Sequence, residues 1–501
     1  MSDARGSEEI TALAKGGRTN ILGFILRLAA RLPFLFIAGR LYGPEVVGRF
    51  AIAVVVVELA ALLATLGLKR GLAQALASTK RPHVHVVWDG MAVAFTVSIV
   101  ASAVLFVFPQ IMFPNSPVMG MERLLALIVF AVAWSDISLA ALAYRGNVKA
   151  TVTARAIVEP WTISIAALGF YYVSSRDGLI FAYVLSMLAA LTASLLPFVR
   201  SYGLPHGWSP RITPLLQLAT RNVPLAGADA IEWGTRNIDR FILGLLFPPA
   251  VVGIYYMAQQ VASIPQKLKT SFDPVLGPSI ARNLAAGNRA AIGAQVKQVA
   301  FWIITLQMAL LLMLGIPAEG VMGIVGPQFV AGTGALCFLL AAEVLASPGA
   351  VAEAGLVYVA RMRNLIISLL LLGFQTALSF ALVFLMRNMG WGVNYQAAGP
   401  AVALACTVLL GSTIKCSLLT RLLGTRVFGL RPAFFAAAGA AALVGWGFTM
   451  LPPSLEWLEL SVGIPAIFAA FFLIIAKWAL SDEDRKLFKR LPKEGAGSAS
   501  A

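Results

Sequence analysis

Apolar runs of about 20 residues recur along the whole chain, separated by short polar connections, and a helix of that length crosses roughly 30 Å of hydrocarbon. The pattern predicts fourteen spans, near residues 20–39, 45–67, 84–107, 122–143, 153–173, 178–199, 222–247, 250–272, 296–316, 330–350, 362–386, 395–414, 432–451 and 459–480. Prolines fall inside several of them. Pro33 removes a backbone donor, so a bend is expected there; Pro265 is expected to break the eighth span, Pro400 to interrupt the twelfth, and Pro348 with Gly349 to end the tenth. The clearest boundary is 200–221, a basic stretch rich in Pro, Gly and polar residues and too short to form a domain.

The end of the seventh span and the turn after it repeat the beginning of the chain. At an offset of 205 residues, Arg31, Phe36, Ile37, Gly39 and Leu41 fall on Arg236, Phe241, Ile242, Gly244 and Leu246. Pro44, Val46, Val47, Gly48 and Ala53 fall on Pro249, Val251, Val252, Gly253 and Ala258 on the same ungapped diagonal. Two lobes of six spans repeat in the same orientation, because six is even, and imply a pseudo-two-fold axis along the membrane normal. Transporters use this plan, with the substrate site at the repeat interface and rocking lobes. The expected organisation is an N-terminal lobe (1–199), a connection (200–221), a C-terminal lobe (222–421), an appended pair of spans (422–480) and a polar tail (481–501). The fold class is thus an all-α polytopic membrane protein with two pseudo-symmetric six-helix lobes plus a C-terminal helix pair.

Composition excludes an ordinary soluble domain: 59% of the 501 residues are hydrophobic and 12% charged, against roughly 25% charged in soluble proteins. The net charge of +16 follows the topology. Lys and Arg crowd alternate connections, such as Lys69, Arg70, Lys80 and Arg81 or Lys415, Arg421, Arg426 and Arg431. The opposite connections hold only Arg40, Arg49, Arg123, Arg176 and Arg387. By the positive-inside rule, both termini are expected in the cytoplasm. The basic face suits anionic membrane lipids, and nucleic acid is not an expected partner. The polar first 19 residues do not resemble a cleavable signal. Cys337, Cys406 and Cys416 have no CxxC spacing and read as packing residues, with neither a disulfide nor a metal site. His83 and His85, with Asp89 a turn further in, lack a third ligand and read as an interfacial anchor.

Charge inside the spans is the candidate chemistry. Arg27 and Arg31 share a helical face, and Arg31 lies roughly 17 Å along the helix from the inner end near Asn20. In the seventh span Asp229, Glu232, Arg236 and Asp239 share a face, with Arg240 on its edge. An ionised group at the bilayer centre costs roughly 2.5–3.5 kcal/mol, so these residues must face a bundle interior or a water-filled cavity. Two readings stand. The arginines line a central cavity and hold an anion, a task for which the guanidinium fork suits phosphate; or Arg236 and Arg240 neutralise the acids of their own helix. Within spans the acids Glu58, Asp89, Asp136, Glu159, Asp229, Glu232, Asp239 and Glu343 outnumber the arginines. That excess makes Glu58, Asp229 and Glu343 candidates for a coupling proton or Na⁺. Glu159 can also reach Arg155 as an i,i+4 pair. No Walker A motif occurs, and the outer loops are short for an enzyme acting on extracytoplasmic sugars.

The segments GRLYGPEVVGRFAIA and LATLGLKRGLAQALA resemble the opening hairpin of bacterial polysaccharide flippases (Wzx-type) of the MATE-like (MOP) superfamily. NIDRFILGLLFPPAVVGIYYMAQQVASIPQKL followed by FDPVLGPSIAR resembles their seventh and eighth spans. The likeness covers the ends of both lobe openings and rests elsewhere on span count and loop lengths. It implies a transporter without a cofactor that flips an undecaprenyl-pyrophosphate-linked oligosaccharide, an O-antigen or exopolysaccharide repeat unit, across a bacterial plasma membrane. Arg27, Arg31, Arg236 and Arg240 would then face the sugars and pyrophosphate while the prenyl tail stays in lipid. A polysaccharide polymerase and a chain-length regulator are the protein partners it suggests. The runner-up is a multidrug or organic-cation antiporter of the same superfamily, with the acids as binding groups. A third reading is a membrane enzyme of polysaccharide assembly.

Overall fold

A computed structural model describes residues 32–270, 273–452 and 455–480, and no strand occurs among them. The N-terminal lobe opens with α1 (32–37), which widens into a π turn at Ala38–Tyr42. It continues with α2 (Gly43–Ala64), α3 (Leu68–Ser78), α4 (His83–Val107), α5 (Ile128–Tyr144), α6 (Val148–Val152), α7 (Glu159–Tyr171) and α8 (Gly178–Tyr202). The C-terminal lobe comprises α9 (Ile212–Leu246), α10 (Pro249–Thr270), α11 (Asp273–Ala285), α12 (Arg289–Gly315), α13 (Ala318–Val325), α14 (Thr333–Val359), α15 (Arg361–Asn388) and α16 (Val393–Leu423). The helices α17 (Pro432–Thr449), α18 (Glu456–Leu458) and α19 (Ile464–Ile474) follow. α17 and α19 pack on each other and on α12 through Phe301, Ile304, Phe434 and Phe471, so the appended pair lies on the flank of the second lobe.

Ten helical stretches among the described residues are long and apolar enough to cross a membrane, one of them reaching from Leu32 to Ser78 with a turn at Thr65–Gly67. The shorter α7, the charged α9 and the polar α10 do not meet that measure, yet they occupy the places of the fifth, seventh and eighth spans. α9 also begins earlier than the hydrophobic pattern suggests. Ile212–Arg221 of the connection is already helical, and the helix passes through Pro224 to Leu246.

The lobes meet where the sequence repeat is strongest. α2 and α10 start with Gly-Pro and Pro at their first turns, which suits the fixed φ of proline. A Cβ on Gly48 would stand 1.7 Å from the Pro249 carbonyl oxygen, and a Cβ on Gly253 would stand 1.9 Å from that of Pro44. The contact is reciprocal, residue for repeated residue, so the pseudo-two-fold axis passes between the two helices. Only residues lacking a side chain permit this approach. The same face is closed further out by Arg40, whose Nε and Nη2 donate to the Ile324 carbonyl at 3.2 and 3.1 Å. Asn115 Nδ2 likewise donates to the carbonyls of Gly244 at 2.7 Å and Phe247 at 3.2 Å. This is the face with few basic residues. Arg49 and Arg176 are both spent there on the buried Glu122. Burial, with Glu122 close by, pushes the neighbouring Asp177 carboxyl above its usual range.

Pro348 does not end its helix, and α10 and α16 likewise run on through Pro265 and Pro400. α14 runs on to Val359, because Ser412 of α16 inserts its hydroxyl where the ladder would break. Ser412 Oγ accepts from Gly349 N at 3.2 Å and donates to the Leu345 carbonyl at 2.6 Å. Gly349 makes the insertion possible, since a Cβ there would lie 2.6 Å from that hydroxyl. A buried polar pair left without its partner costs about 1–3 kcal/mol. The Ser412→Ala variant is therefore expected to melt at a lower temperature in detergent, whereas Ser412→Thr largely retains the parent value. An unchanged melting temperature for Ser412→Ala would show that the helix closes the gap unaided.

Candidate functional site

Between the lobes lies a cavity of about 1400 Å³. That exceeds the roughly 300–1,000 Å³ of drug-sized sites. Its N-terminal wall, among the described residues, is largely apolar, with Phe34, Leu35, Phe50, Val54, Ile163 and Met187 interrupted by Glu58, Glu159 and Tyr183. Its C-terminal wall is polar. There α9 contributes Glu232, Thr235, Arg236, Asn237 and Arg240, α10 contributes Tyr256, Gln259, Gln260, Ser263 and Gln266, and α14 contributes Glu343 and Glu353. Arg70, Gln74, Arg221 and Arg361 also line it, and these belong to the face rich in basic residues, opposite the glycine seal.

The structure separates the sequence candidates. Arg27 and Arg31 lie outside the described residues. Arg236 and Arg240 both reach the cavity wall but differ in their surroundings. Arg236 is 44% exposed and pairs with Glu232 at 3.0 Å, one turn back on its own helix. Arg240 is 8% exposed. Its Nη2 donates to Asn237 Oδ1, its guanidinium sits 5.5 Å from the centre of the Tyr256 ring, and its Nε is buried without a hydrogen-bond partner. The acid beside it is otherwise occupied. Asp239 accepts from the Tyr255 hydroxyl at 2.6 Å, from Gln259 Nε2 at 3.2 Å and from the Arg240 amide at 2.8 Å. Arg240 thus makes no ion pair among the described residues, so neutralisation within the helix describes Arg236 and not Arg240.

The candidates for ion coupling also diverge. Glu58 on α2 and Glu343 on α14 line the cavity from opposite lobes, and the Tyr183 hydroxyl donates to Glu58 at 3.4 Å. Asp229 is 6% exposed, is not among the cavity-lining residues and meets Arg70 Nε at 2.8 Å.

Much of the apparent excess of acid disappears through cations that the sequence pattern assigns to the connections. Asp136 binds Lys69 at 3.2 Å and Arg155 at 2.5 Å, and Arg155 also holds Glu159 at 3.0 Å. Asp89 binds Arg81 at 2.8 Å and accepts from Trp208 Nε1 at 2.9 Å. Long side chains at helix ends can carry their charge several ångström along an apolar wall. Arg70 and Lys415 are the cavity residues missed this way. Arg70 reaches from α3 to Asp229 and Glu232 of the other lobe, at 2.8 and 2.5 Å. Lys415, buried in α16, donates to Glu353 at 2.9 Å and Ser368 at 3.1 Å. The apolar run containing it pauses at residue 414, but α16 continues to Leu423, which places the ammonium inside the helix and not beyond it. The helical periodicity of SLLTRLL was the available signal.

The model of a family described as polysaccharide biosynthesis protein matches residues 13–284. No curated protein matches the sequence. Among solved structures, the fold is similar to lipid II flippase MurJ in an inward closed conformation, with a TM-score of 0.70 and 9% identity over 94% of this chain and 100% of that one. It is also similar to an inward-facing multidrug resistance MATE family transporter of the MOP superfamily, with a TM-score of 0.63 and 14% identity over 80% of this chain and 99% of that one. At these identities the likeness establishes the fold: paired lobes around a central cavity.

Proposed function

The chain belongs to the polysaccharide biosynthesis protein family and is a multi-pass membrane transporter rather than an enzyme; from that premise we propose that it flips an undecaprenyl-pyrophosphate-linked oligosaccharide to the outer leaflet of a bacterial inner membrane. Both termini and the open mouth of the cavity lie in the cytoplasm in this reading, in keeping with the basic residues around the mouth. The observation that carries it is Arg240. A guanidinium mostly removed from water, on the wall of a large cavity and without an ion pair among the described residues, favours an anionic ligand. Pyrophosphate supplies that charge, and the fork of the guanidinium matches it. Arg236, exposed beside it, adds a second cation. The glutamines and Ser263 along α10 offer donors and acceptors to sugar hydroxyls. The lobes then rock, closing the mouth and parting the Gly48–Gly253 contact, so that the far face opens by alternating access.

Glu58 and Glu343, on facing walls, are the groups through which a proton or Na⁺ couples this movement. The same carboxylates favour the second reading, an organic-cation antiporter. Reconstitution separates the two. In proteoliposomes carrying a fluorescent polyprenyl-pyrophosphate-linked glycan, the protein is expected to make the label accessible to an impermeant quencher on the opposite leaflet. Efflux of a cationic dye down a counter-gradient, without glycan movement, would replace the flippase assignment with the antiporter.

A further inference from the structure

Glu232 stands where the cavity and the seam between the lobes meet. Its Oε1 accepts from Nη2 of Arg236, a cavity cation of the C-terminal lobe, at 3.0 Å. Its Oε2 accepts from Nη2 of Arg70, in the N-terminal lobe, at 2.5 Å. Arg70 also holds Asp229 through its Nε at 2.8 Å, so two guanidiniums and two carboxylates form one neutral chain across the seam. The backbones beneath it are close. A Cβ on Gly67 would lie 2.6 Å from the Ala226 amide nitrogen, and one on Gly71 would lie 1.7 Å from the Asn222 side-chain oxygen. Among these groups, Arg236 and Glu232 both line the cavity from the second lobe, Arg236 as its cation and Glu232 as that cation's ion-pair partner.

We infer that Glu232 is a positioning residue that couples ligand occupancy to closure of the cavity mouth. This rests on the reading of the cavity as an anion site. A pyrophosphate that engages Arg236 competes with Glu232 for the same guanidinium. Once Arg236 is taken, Arg70 alone faces two carboxylates of the opposite lobe, and the net negative charge left there strengthens its hold across the seam. Exchange of one ion pair for another thus moves charge from the cavity wall to the seam, without any change of protonation. Arg70 serves as the receiving end, and Asp229, away from the cavity, holds it in reach.

Full-length protein in lipid nanodiscs, spin-labelled at Ser78 and Arg363, tests this. Both positions are exposed, on opposite lobes, at the ends of helices that reach the mouth. Inorganic pyrophosphate is expected to shorten the distance between the labels in the parent. In Glu232→Gln, which keeps the shape and removes the charge, pyrophosphate is expected to bind severalfold more tightly, because Arg236 is no longer contested. The distance change is expected to be lost. Glu232→Asp should restore part of it. Equal shortening in the parent and Glu232→Gln would overturn the coupling role, as would binding to the parent with no shortening. A parent that binds no pyrophosphate would overturn the anion-site reading as well.

Discussion

Arg240→Ala is expected to reach the membrane and fold as the parent does, yet to lose about tenfold to a hundredfold in glycan translocation, the range set by one charge-assisted contact worth roughly 1.5–3 kcal/mol. The separation of folding from transport follows from the surroundings of the side chain. Removing a cation from a buried ion pair strands a charge and is strongly destabilising. Arg240 has no such partner among the described residues, and Asp239 keeps its bonds to Tyr255 and Gln259 in the variant. What is lost inside the protein is the contact with Asn237 and the stacking on Tyr256. Arg240→Lys should recover only part of the activity, because an ammonium keeps the charge and loses the planar fork. Melting temperature and leaflet translocation, measured on the same preparations, check both statements. Parent-like translocation by Arg240→Ala would remove this residue from the ligand site.

The second large effect belongs to the reciprocal glycines. A methyl group at Gly48 or Gly253 would sit 1.7 or 1.9 Å from a carbonyl oxygen of the other lobe, about 1.5–2 Å short of ordinary contact between heavy atoms. Backbone is what stands in the way, so no rotamer change relieves it. The lobes must part on the sealed face. Gly48→Ala and Gly253→Ala are each expected to lengthen the distance between labels at Glu45 and Gln328, exposed residues of opposite lobes on that face. Transport should fall because the far side no longer reseals. The two variants should behave alike, since the contact is symmetric. Unchanged distances in both would mean that the lobes slide past the added methyl and that the seal lies elsewhere.

These glycines also show what kind of information the sequence carries. The diagonal linking Pro44 and Gly48 to Pro249 and Gly253 is readable as a duplication, and duplication with an even number of spans implies the axis. The register of the contact across that axis is not readable, because it depends on the lobes meeting. The same division holds for the charges. Asp229, Glu232, Arg236 and Asp239 are predictable as an inward face from their spacing; Glu232 and Arg236 line the cavity, whereas Asp229 and Asp239 are buried away from it. Which acid holds which cation is decided by residues far away in sequence: Arg70 from another lobe, Tyr255 and Gln259 from the next helix. Local pattern therefore named Arg236 and Arg240 together, and only the packing distinguishes the paired one from the unpaired one. Pro348 failed as a stop signal for a similar reason, since the hydroxyl that repairs the ladder comes from α16.

α9 carries one more consequence. At 1.5 Å per residue its 35 residues make a rod of about 52 Å, while the hydrocarbon it crosses measures roughly 30 Å. Some 20 Å of it therefore stands proud of the apolar layer, and the segment around Ile212 forms the free end of a lever whose fulcrum is in the bilayer. A ten-degree tilt within the membrane would swing that tip through roughly 3–4 Å. Small rearrangements around Arg240 are thus magnified at the aqueous end of the helix.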